Sequence, residues 1–181
     1  EKSKNYTVNS IDDAEINQKR IISSSIGILA IPGEKVLDSG INCLNTYTAD
    51  FLSGYENVKA IHLSHELPID SIKRFAGLNK NISYEYLIYG RVAVMKTKYC
   101  IKSIFSKSGT SEEEMYLNDR QKKRIDIVTY PGCSTTYLLG AFTINNLANK
   151  ELIRKSGADT LRINIYKESK EEIKDIIQRA K

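Results

Sequence analysis

The stretch "YGRVAVMKTKYC", residues 89 to 100, closes an apolar run with a phenol, a glycine and a guanidinium, and then reaches a lone thiol. A guanidinium inside an apolar run needs a carboxylate, a phosphate or solvent. A second stretch, "HLSHELP" (62 to 68), sets His65 and Glu66 side by side, a pairing suited to general acid–base work. The same two residues also suit the opening of a helix, with the acid near its positive end. His62 sits inside an apolar strand, where a satisfied core or surface histidine is the ordinary reading. Cys100 and Cys133 could serve as nucleophiles or as soft metal ligands, whereas Cys43 reads as a buried structural thiol. No CxxC spacing is present, nor GxSxG, HExxH, a phosphate-binding GxxxxGK[ST] or GxGxxG.

The elements that must position these groups alternate. Apolar runs at 25–31, 40–47, 58–64, 82–95 and 160–166 predict strands. Helices are expected over "TADFLSGY", "ELPIDSIKRFAG" and "ANKELIRKSGA", with Gly54, Gly77 and Gly157 as stops. Ser169 and Glu172 form a capping box for a closing helix striped by Ile173, Ile176, Ile177 and Ala180. Strand and helix in alternation predict parallel βα units, interrupted between 100 and 140 by an irregular, antiparallel-leaning insert. A complete eight-stranded barrel takes about 250 residues, so the expected fold is α/β, a partial TIM-like barrel of parallel βα units. Residues 1–20 read as a linker or frayed terminus and 21–181 as one α/β domain.

In such folds ligands bind beyond the carboxyl ends of the strands. That rule selects His65, Glu66, Tyr89 and Arg91 as candidate catalytic groups and Asn45 as a candidate substrate contact; Arg162, inside the strand at 160–166, is a second candidate substrate contact. Tyr47, Ser64, Asn164 and Tyr166 stand at strand ends too.

The chain of 181 residues is long enough for a real core. Its 27 basic and 22 acidic side chains give a net charge of +5, a weak pointer to acidic partners such as RNA. The basic cluster "RQKKR" (120 to 124) reads as a solvated loop. No run approaches the roughly 18 apolar residues of a membrane helix. Three scattered cysteines argue for a reducing compartment, with the cytoplasm as the expected location.

Residues 82 to 100 resemble the signature of the collagenase-like peptidases, peptidase family U32. Glu85, Gly90 and Val92 stand at matching positions and Cys100 falls on the second signature cysteine. "YGRVAVMKTKYC" follows that family's "YGRLPLM…YCP", and "GINCLNTYTADFL" is similar to its "LNVFNSYTAEFL". "HLSHELPIDSIK" resembles "LSPELSLEEIK", and "YLNDRQKKRIDIVTYPGCSTTYLLGA" puts Cys133 on a further family cysteine. "GADTLRINIYKESKEEIKDII" is similar to its closing βα unit. The resemblance implies the C-terminal half of a barrel acting as a peptidase on a polypeptide. A branch of the family instead uses an iron–sulfur cluster to hydroxylate RNA or small molecules. Cys100 and Cys133 would then be metal ligands, two of an expected four, since Ala93 replaces the first and no third is found. A non-catalytic module that binds a partner is the remaining reading. With no nucleophile paired to a recognisable base and only half a ring of loops, activity is expected to depend on an upstream half-barrel or a second chain.

Overall fold

A computed structural model describes residues 6–7, 20–101, 104, 114–129 and 135–181. The chain divides into two compact units: Glu1–Ile88 with Asn146–Ile163 and Ile176–Lys181, and Tyr89–Asn145 with Asn164–Asp175.

The first unit is built on parallel strands: β1 (Tyr6–Thr7), β2 (Arg20–Ser23), β3 (Glu34–Leu37), β4 (Val58–His62) and β5 (Ser83–Gly90), side by side in that order. Each neighbouring pair is parallel. The last two residues of β5 belong to the second unit. A late strand, Thr160–Ile163, also pairs with β5. Side chains alternate between the two faces of a strand. One face carries Leu37, Ile61 and Tyr84, all essentially buried. Tyr84 packs its ring 5.8 Å from Phe75, just past a short helix at Ile69–Ile72. Val36, Ala60 and His62 line the other face.

Helix α1 (Thr46–Ser53) starts where the Asn45 carboxamide accepts a hydrogen bond from Thr48 N and stops at Gly54, as expected. The Ile69–Ile72 helix, α2, is shorter than its sequence pattern, although Ile72 and Phe75 are buried as the stripe requires. Helix α3 (Lys150–Lys155) is followed by Gly157 at φ 103°. The Ala76 side chain lies 2.4 Å from where a Cβ on Gly157 would sit.

The second unit holds an antiparallel sheet of β6 (Ala93–Thr97), β7 (Met115–Asn118), β8 (Arg124–Thr129) and β9 (Thr136–Leu139), in the order β6-β9-β8-β7. A two-residue strand, β10 (Ile144–Asn145), pairs antiparallel with Gly90 and Tyr89. Completing the strands, Thr160–Ile163 is β11. The closing helix α4 (Lys170–Ala180) begins in this unit with its capping box made: Ser169 N donates to Glu172 and Glu172 N to the Ser169 hydroxyl.

The partial TIM-like barrel is therefore corrected. The fold is mixed α/β with one mostly parallel and one wholly antiparallel sheet, not a run of parallel βα units. Two local causes account for the difference. Gly90 takes φ 126°, open only to glycine, and the chain leaves β5 there, so the long apolar run splits into β5 and β6. Then "NDRQKKR" forms a hairpin turn: the Asp119 carboxylate accepts from Gln121 N and Lys123 N, while Lys122 sits left-handed at φ 60°. Elsewhere, the expected strand at 25–31 is a 3-10 helix at Ile26–Ala30, and that at 40–47 is a 3-10 turn at Ser39–Ile41 running into α1. Short apolar runs do not by themselves separate strand from tight helix.

Candidate functional site

Parallel register brings a row of polar side chains to one level. Asp38 directly follows β3, and Leu37 pairs with Ile61, one step before His62. His62 pairs with Glu85, and Ser83 meets Thr160 hydroxyl to hydroxyl at 3.1 Å, which sets Arg162 level with Glu85. Ser24, after β2, donates its hydroxyl hydrogen bond to Asp38 Oδ2 at 3.1 Å.

The contacts follow that level. Arg162 Nη1 is 2.8 Å from Asp38 Oδ1 and 3.6 Å from Glu85 Oε2, and His62 Nδ1 is 3.8 Å from the same Glu85 oxygen. Asp38 and Arg162 lie on strands three places apart, roughly 14 Å in a flat sheet. Their contact requires the sheet to curl with this face concave. His62 is 2 % exposed, while Asp38, Glu85 and Arg162 keep 17–25 % of their side chains in solvent. Among the described residues neither Arg162 Nη1 nor His62 Nδ1 makes a hydrogen bond, although both are buried atoms.

His65 lies in the turn after β4, three residues beyond His62. Burial pushes the His65 imidazole below its ordinary value, which favours the neutral ring, and its buried Nδ1 has no partner. A neutral imidazole with a free nitrogen can accept a proton. Ser24 is bonded to a carboxylate rather than an imidazole, so the row holds no activated serine.

The other expected residues fall elsewhere. In the first unit Asn45 spends its side-chain oxygen on the cap of α1, and Glu66 is exposed. Tyr89 and Arg91 belong to the second unit. Arg91 is committed to structure there: Nε donates to Gly140 O at 2.8 Å, Nη2 to Leu139 O at 3.0 Å, and Nη1 pairs with Asp126. Tyr166 lies under its guanidinium at 5.6 Å. Arg124 Nε reaches the other Asp126 oxygen at 2.7 Å, and Lys167 bridges to Glu114 at 2.7 Å. Tyr89 bonds Glu168, and its phenol is pushed up by burial and by that carboxylate.

Cys43 is fully buried, with its thiol pushed up to about 11 by burial. Cys100 is disulfide-bonded, and Cys133 lies outside the described residues. Among the described residues no group of three or more His, Cys, Asp or Glu is arranged to hold a metal ion. No helix among them is long and apolar enough to cross a membrane.

Sequence reasoning selected Arg162 and His65 but missed Asp38 and passed over His62, and it met Glu85 only through the family signature. The missing signal was register: with no strand expected over Glu34–Leu37, Asp38 did not stand at a strand end. No family model, no curated protein and no solved structure matches this chain.

Proposed function

We propose that the chain is a peptidase-type enzyme of the U32 kind, or the substrate-holding part of one, acting on a polypeptide. The observation that carries this reading is the polar row Asp38–His62–Glu85–Arg162 on one sheet face, where Asp38 directly follows β3, His62 ends β4 and the parallel register sets Glu85 and Arg162 level with them. The likeness of residues 82 to 100 to the U32 signature supplies the substrate class. In this reading Arg162 and the two carboxylates hold the substrate, and His65 accepts a proton from the attacking water.

Turnover also needs donors for the developing oxyanion. The row is rich in acceptors, so those donors come from a second chain or a further segment. The test pairs fluorescence anisotropy of a labelled unfolded polypeptide with product analysis. Binding that weakens in Arg162→Ala and Glu85→Gln supports the reading. Absence of binding, or preferential binding of single-stranded RNA, overturns it.

A further inference from the structure

The strand-end row of the first unit holds more negative charge and more acceptor atoms than its own cation satisfies. Two carboxylates, Asp38 and Glu85, face one guanidinium, Arg162. That guanidinium sits within ion-pair distance of both, yet its Nη1 lacks hydrogen-bond geometry to either. The Glu85 carboxylate accepts no hydrogen bond among the described residues; its neighbours are His62 Nδ1 at 3.8 Å and Arg162 Nη1 at 3.6 Å. The His62 side chain is 2 % exposed, and its Nδ1, without a hydrogen bond among the described residues, lies 3.8 Å from the Glu85 carboxylate. A buried ring nitrogen without a partner is costly unless something meets it. The neutral His65, with its own unpartnered Nδ1, adds a further acceptor nearby.

What completes such a row is a group that brings positive charge and several N–H donors. A divalent ion does not fit, since no three such ligands converge among the described residues. A phosphodiester chain does not fit either, because it adds negative charge to a site already in excess of it.

We propose that this row binds the cationic nitrogen of a basic substrate group, a primary ammonium or a guanidinium, with Asp38 and Glu85 as counter-charges and His62 Nδ1 as a third acceptor. The proposal rests on reading the substrate as a polypeptide and names the part of it that is recognised: a basic side chain or a free amino terminus. Arg162 stays in place beside the ligand and holds the two carboxylates apart.

The experiment is calorimetric titration of the whole chain near neutral pH with N-acetyl-lysine methylamide, N-acetyl-arginine methylamide and glycine amide. Uncharged N-acetyl-norleucine methylamide is the isosteric control. At least one cationic probe binds and the control does not; which probe binds tells side chain from amino terminus. Glu85→Gln and Asp38→Asn each weaken that binding about tenfold, the loss expected for one charge-assisted bond. In case either variant fails to fold, carbodiimide labelling of the unmodified chain is mapped with and without the bound probe, which protects Asp38 and Glu85. No cation binding, equal binding of the norleucine control, or labelling of both carboxylates unchanged by the probe overturns the proposal. Polypeptide binding indifferent to basic residues overturns it while sustaining the enzymatic reading. Cation binding without any polypeptide engagement does the converse.

Discussion

Two ionisable side chains show how burial, rather than catalysis, can explain a suspicious residue. Arg91 looked functional because a guanidinium interrupts an apolar run, but its three nitrogens are all engaged by Asp126 and two backbone carbonyls. Burial alone would push the Asp126 carboxyl up; hydrogen bonds from Arg91 and Arg124 outweigh it and hold the carboxyl below its ordinary value. A depressed carboxyl contributes stability that is present above its unfolded pKa and is lost as pH falls through the folded one. Arg91→Ala, which leaves Asp126 buried with fewer partners, should cost about 3 kcal/mol in denaturant unfolding and shrink the loss of stability on acidification. A cost under about 0.5 kcal/mol would show the pair to be incidental. Lys35 makes the opposite case: it is 2 % exposed and its amine donates to Gly33 O at 2.8 Å. Burial lowers its pKa, so the unfolded state binds the proton more tightly, and stability rises with pH between the folded and unfolded values. Lys35→Met should therefore raise Tm at neutral pH, by an increment worth on the order of 1 kcal/mol, and flatten that rise. A lower Tm in the variant would contradict this.

Helix ends were the most legible elements, because capping chemistry is local. Ser169 with Glu172, Gly54 after α1 and the left-handed Gly157 after α3 all stand where side-chain type alone put them, whereas α2 ends at Ile72, five residues before Gly77. Asn45 is the instructive case, for its oxygen is spent on Thr48 N. Asn45→Ala should cost about 1 kcal/mol of stability while leaving polypeptide binding unchanged; a loss of binding at intact stability would restore it to the site. Strand boundaries were harder. The 3-10 helix at Ile26–Ala30 buries only Ile28 and has the same apolar composition as a strand, so composition could not tell them apart. The split of β5 from β6 at Gly90 was readable as a glycine followed by an arginine, but not as a change of sheet. That change depends on partners far away in sequence, Leu139 for Ala93 and Asn145 for Tyr89. Gly90 is irreplaceable here: a Cβ would lie 2.2 Å from Asn164 O at φ 126°. Gly90→Ala should lower stability by about 2 kcal/mol or more, combining the clash with left-handed strain, as read by denaturant midpoint. An unchanged midpoint would mean that the Asn164 segment does not pack there.

For the molecule as a whole, a basic net charge of +5 suggested an acidic partner, yet the row that gathers unpartnered atoms in the first unit is itself acidic on balance. Net charge averages over surfaces that do different things, and register decides which charges meet. The candidate site was thus half legible: His65 from a strand end and Arg162 from within a strand, but Asp38 and His62 only once the parallel pairing fixed their level. The central claim is that a polypeptide is engaged at those strand ends. Hydrogen–deuterium exchange of the chain with and without a saturating unfolded polypeptide tests it most directly, since bound backbone amides exchange more slowly. Slowed exchange is predicted in the segments around Asp38, His62 to Glu66 and Glu85. Protection confined to other segments, or none at a concentration where anisotropy reports binding, would contradict the account.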